Sequence, residues 1–155
     1  MRITNAIIFL LMCLNTHSQI QIPDVGNEWK SKVESALILI NEVDSSRFRF
    51  IEDNCTKIDF WISDFSSTVE NGTILIPQRE AQFGSITNLA AIIVHESMHL
   101  SFTNNLIGMN DNIEEIICYL YELDFLLKIP NVEPWLISNA KEKISHYSTN
   151  KKPQE

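Results

Sequence analysis

Ala90-Ala91-Ile92-Ile93-Val94-His95-Glu96-Ser97-Met98-His99-Leu100-Ser101-Phe102 is the stretch on which both the fold and the chemistry turn. It holds the pattern HExxH inside an apolar run, and Glu96 is its one Asp, Glu, Lys or Arg. Residues four apart on a helix lie one above the other on the same face. Two imidazoles at the spacing of His95 and His99 therefore reach one metal ion without strain, and zinc is the ion this spacing suits. Glu96 directly follows the first histidine and leans over the open side of such an ion, where a carboxylate takes a proton from water. A charge between two histidines on so apolar a helix is costly unless chemistry uses it. The pattern predicts a buried helix starting at Ser85 or Thr87 and running to about Thr103.

Working outward, Glu28 to about Asp44 reads as a helix, with Trp29, Val33, Ala36, Leu37, Ile40 and Val43 at helical spacing and Asn27 as its cap. Arg47-Phe48-Arg49-Phe50-Ile51 alternates like a strand, and Lys57 to Ile62 reads as a second. Asp64 to Gly72 reads as a polar loop closed by Asn71-Gly72, a strong turn signal. Thr73-Ile74-Leu75-Ile76 is a third strand, stopped by Pro77; an edge strand beside the motif helix is one reading, a plain core strand the other. Asn104 to Asn112 is a loop, Ile113 to Lys128 a second buried helix, and Trp135 to Ser145 a short amphipathic one. The order predicts an α+β fold: a small, mostly antiparallel sheet packed on the HExxH helix and a second buried helix.

The chain has 155 residues, enough for one domain with a real core. Its net charge of −8 and pI near 4.9 argue against nucleic acid and anionic membrane surfaces as partners. Residues 1–19 read as a signal peptide: Arg2, an apolar core from Ile7 to Leu14, then a polar stretch with small Thr16 and Ser18. The apolar core is too short to span a bilayer, and no other segment approaches transmembrane length. A mature chain beginning near Gln19 or Ile20 would be secreted or periplasmic. A lipid anchor on Cys13 is disfavoured, because Met12 stands where a small residue belongs. The domain is then 20–148, followed by a polar tail, 149–155. The mature chain keeps Cys55 and Cys118; an oxidising compartment favours a disulfide between them, and two packed thiols are the alternative.

Two histidines do not complete a catalytic zinc site, which takes three protein ligands and a water. Phe102 and Thr103 stand where a metzincin extension would begin, and no histidine follows until His146. The next helix offers Asn112-Ile113-Glu114-Glu115-Ile116-Ile117-Cys118-Tyr119. Asp111 and Glu114 have capping-box spacing, which gives Glu114 a local partner. Glu115, about 100° further round, lies on the line of Cys118, Tyr119 and Glu122 and has none. Glu114 on the metal is the competing phase.

HESMH followed by a glutamate on a downstream buried helix resembles the gluzincin metallopeptidases, with Glu115-Ile116-Ile117-Cys118 similar to the ExxA pattern of small zincin-like members. The likeness covers about Thr73 to Leu127. It implies a zincin-like fold, Zn2+ held by His95, His99 and Glu115, Glu96 as general base, and a peptide or protein substrate. Where related families place a supporting Asp after the small residue, this chain has Tyr119. His146 or Tyr147 stands where an oxyanion-stabilising group is often found, with a surface-facing helix end as the other reading.

The leading expectation is thus an exported zinc-dependent metallopeptidase. The alternative is a non-catalytic zincin-like binding or inhibitory module with a vestigial or structural metal site; a third reading is an exported protein without metal. No feature of the pattern selects an oligomeric state.

Overall fold

The computed structural model describes residues 20–24, 27–62 and 67–149. The signal-peptide stretch and most of the polar tail lie outside these residues. The order is α1 (Asn27–Val43), α2 (Ser45–Asn54), β1 (Lys57–Trp61), β2 (Thr68–Glu70), β3 (Thr73–Pro77), α3 (Gln78–Phe83), α4 (Ile86–Asn104), α5 (Asp111–Leu126) and α6 (Pro134–Thr149). The α+β expectation stands at this level. None of the described helices is long and apolar enough to cross a membrane.

The sheet differs from the expectation of a mostly antiparallel one. Its order is β1-β3-β2: β1 pairs parallel with β3, while β2 pairs antiparallel with it. Asn71 and Gly72 carry φ of 49° and 75°, the left-handed pair that a two-residue type I′ hairpin demands. The Asn-Gly signal thus did mark a hairpin, but its first arm, Thr68-Val69-Glu70, is too short and polar to read as a strand. This places Thr73–Pro77 in the centre of the sheet, which corrects the edge-strand expectation; the edge beside α4 belongs to β2.

Arg47 to Ile51 is helix, not strand. Asp44 ends α1 and caps α2, its carboxylate accepting from the Arg47 backbone N–H at 3.1 Å. Five alternating residues satisfy helical spacing as well, and the cap decides. The inward positions are Arg47 and Ile51, four apart. The buried Arg47 guanidinium lies 4.0 Å from the Tyr121 ring centre and donates to Asp124 at 2.9 Å. Lys128 joins both acids, at 2.9 Å from Asp44 and 2.8 Å from Asp124.

This cluster has a pH signature. Burial alone would raise the Asp44 carboxyl, but hydrogen bonds from Ser46 and Lys128 and the Arg47 backbone and guanidinium outweigh it, and the carboxyl is held well below its ordinary range. A carboxylate depressed in the folded state contributes its stability above its unfolded pKa, about 3.9, and loses it as pH falls below that value. Asp44→Asn should lower stability at pH 7 by roughly 1.5–3 kcal/mol, the range for hydrogen bonds to charged groups. Urea unfolding at pH 7 and pH 3 checks this: the gap between variant and parent should shrink in acid.

α4 is the spine. Ser85 caps it, accepting from Asn88 N at 3.0 Å. Leu89, Ala90, Ile93, Val94 and Leu100 are all fully buried in the main cluster with Ile40, Ile51, Ile74, Ile76 and Phe125. Complete burial of the leucine, isoleucine, valine and phenylalanine side chains contributes roughly 1.5–3 kcal/mol each. A smaller cluster of Ala91, Leu126, Leu136 and Ala140 fastens α6 over α4 and α5. The chain from Ile20 onward joins the sheet: Gln21 bridges to Lys57, and Ile58 N donates to Gln21 O at 2.9 Å.

The two cysteines are free, against the expected disulfide. Their thiols serve different surroundings. Cys55 Sγ donates to the Lys57 carbonyl at 3.2 Å, and burial pushes its thiol up to about 11. Cys118 faces the two motif histidines.

Candidate metal centre

The motif lies on the buried middle of α4, with His95 and Glu96 only 7% and 6% exposed. The two Nε2 atoms face each other at 3.2 Å. Glu115, on the first turns of α5, brings one carboxylate oxygen to 3.7 Å from His95 Nε2 and the other to 3.7 Å from His99 Nε2. Those three groups, on two packed helices, face one another.

The outer ring nitrogens are held as well. His95 Nδ1 lies 3.1 Å from Glu122 Oε2, and His99 Nδ1 lies 2.6 Å from Glu114 Oε1. A carboxylate only accepts, so each Nδ1 carries the hydrogen; each Nε2 points inward and presents a lone pair there when its ring is neutral. Glu114 therefore has a different partner from the helix-cap N–H suggested by its spacing. The cap is Asn110, which accepts from Asn112 N at 3.0 Å, and the Glu114 side chain is left to reach across to α4.

Glu122 is the residue that sequence reasoning left without a role. It lies seven residues after Glu115, on the same face of α5, and is 6% exposed. It does for His95 what an Asp in the position of Tyr119 was expected to do. Tyr119 instead packs its ring on His95, with centroids 4.3 Å apart, and stacks on Tyr147 at 6.1 Å. The available signal was the buried-face spacing of a charged residue. Glu122→Gln should weaken metal affinity about 10–100-fold, the range for loss of such a supporting carboxylate. Competition with a chromogenic chelator measures it.

Burial alone would pull His95 down, but the hydrogen bond to Glu122 and the charges of Glu96, Glu122 and Glu115 outweigh it, so its pKa is raised. Burial pushes the Glu96 carboxyl above its ordinary range. Burial, and the neighbouring glutamates after it, push the Cys118 thiol strongly up.

The donor set fits a zinc ion. With Zn–N of about 2.0–2.1 Å, tetrahedral geometry separates two imidazole nitrogens by about 3.3 Å, against the 3.2 Å found. Two imidazoles face each other among four carboxyl groups, an arrangement that favours a cation between them.

The centre opens on a cleft of about 580 Å³, walled by Ser67, Thr68 and Val69 on one side and by Tyr119, Trp135 and Tyr147 on the other. Glu96 lines it too. His146 is exposed, so of the two α6 residues considered for an oxyanion, Tyr147 is the one at the cleft. No protein-family model, curated protein or solved structure matches this chain.

Proposed function

We propose that this chain is an exported zinc-dependent peptidase in which His95, His99 and Glu115 hold the ion and Glu96 is the general base. One observation carries the reading. The inward Nε2 atoms of the two histidines face each other and the Glu115 carboxylate, with Glu96 on the wall of the same open cleft. When bound, zinc acts as a Lewis acid on the scissile carbonyl and acidifies water. Glu96 accepts the proton of the attacking water and passes it to the leaving amine. Its raised pKa suits both halves of that transfer. Glu122 and Glu114 keep the imidazoles in the tautomer and orientation that binding needs. The β2 edge at the cleft offers main-chain hydrogen bonds to an extended peptide.

Protein purified without added zinc should carry about one zinc per chain and cleave unstructured peptides. Chelation should remove both properties, and zinc should restore both. Metal-free protein would sink the site. Zinc-loaded protein that leaves a diverse peptide mixture intact would favour the non-catalytic module. One observation does favour that second reading: a thiol lies beside the same histidine pair.

A further inference from the structure

Cys118 is the one metal-ligating group at the centre that the proposed chemistry does not use. One ligand atom from each of His95, His99 and Cys118 lies within 4.8 Å of the others. Cys118 is fully buried and, unlike Cys55, has no hydrogen-bond partner among the described residues. A second buried group shares the space: Glu96, 6% exposed, likewise without a hydrogen bond among the described residues. Cys118 and Glu115 stand three apart on α5, so they approach the histidines from one helix face but from different depths. Glu115 lines the cleft with its side chain 28% exposed, whereas Cys118 is sealed beneath.

We propose that Cys118 is a fourth protein donor, reaching the metal from the floor of the site and closing it as a His2GluCys centre. The inference rests on the metal-site reading above. Tetrahedral zinc with Zn–S about 2.3 Å would place sulfur about 3.6 Å from an imidazole nitrogen, so the thiol closes by up to about 1 Å from the 4.8 Å bound. Binding releases the thiol proton to solvent, as with any coordinating cysteine. A thiolate donor turns the preference of the site toward softer ions. It also leaves no vacant position while all four donors are engaged, so the closed form is a resting form and peptide turnover belongs to the form in which sulfur has let go.

The test is titration of chelator-stripped protein with Co2+ under anaerobic conditions, for the parent, Cys118→Ser and Cys118→Ala. The parent should show a near-ultraviolet thiolate-to-cobalt charge-transfer band together with the visible bands of tetrahedral cobalt. Both variants should lose the first, keep the second, and bind the ion tenfold or more weakly. A parent spectrum without the charge-transfer band overturns the proposal whatever the variants do, and leaves the His2Glu site standing. Parent protein that takes up no cobalt overturns both.

Discussion

Glu96→Gln should bind zinc with unchanged stoichiometry and cut peptide hydrolysis about 10²–10⁴-fold, the usual contribution of a positioned acid–base group. The amide fills the same volume but cannot accept the proton of water. Glu96 stands between the two histidines in sequence, yet among the described residues no hydrogen bond or ion pair ties its side chain to their inward nitrogens, which face Glu115 instead. Loss of its carboxylate therefore leaves the donors intact. It also removes one acid from a crowded, buried set, so the variant should be no less stable than the parent. Zinc content, thermal unfolding and rate on one preparation decide the point. Parent-like rates in zinc-replete Glu96→Gln would remove this residue from the mechanism.

Glu115→Ala should cost more metal affinity than the 10–100-fold expected for a supporting carboxylate, and Glu114→Ala should fall within that range. The double variant His95→Ala, His99→Ala is the baseline with no site. The two glutamates are adjacent, but their carboxylates reach opposite sides of the imidazoles. Glu115 lies 3.7 Å from each inward Nε2, while Glu114 holds the outward Nδ1 of His99 at 2.6 Å. Glu114→Ala frees one ring to turn and leaves all inward donors present. Glu115→Ala removes a donor. Chelator competition across the four proteins tests the order, and a larger loss for Glu114→Ala would reverse the assignment.

Much of this site was legible in the sequence because it is local. HESMH sets two imidazoles on one helix face through the helical repeat alone, and the apolar run around it announces burial. The cap at Ser85, one of two starts the sequence offers, and the Asn71-Gly72 turn follow from similarly short-range rules. The helix expected to be buried after the motif, α5, is buried on one face only, with Cys118, Glu122, Phe125 and Leu126 inside and Ile113 and Leu120 exposed. The misreadings were of two kinds. Arg47–Ile51 alternates in apolarity but folds as a helix, because Asp44 caps it and because its buried position is an arginine that finds acids 77 residues away in Asp124 and an aromatic face in Tyr121. Thr68–Glu70 was passed over because a three-residue polar arm carries no periodicity; only its pairing with β3 makes it a strand.

What the sequence by itself determined is the buried helix bearing His95, Glu96 and His99, since its geometry depends on contacts no more than a turn apart. The tertiary structure alone decided the partners from α5. Glu114, Glu115, Cys118 and Glu122 all sit within 27 residues of His95, but their roles depend on how α5 is rotated and shifted against α4. That phase is set by packing around Leu100, Phe125 and Leu126 together with Tyr119 on His95, contacts that span two helices. Helix spacing places side chains on a face; only the docking of two faces says which carboxylate meets a lone pair, which meets an N–H, and which thiol lies underneath.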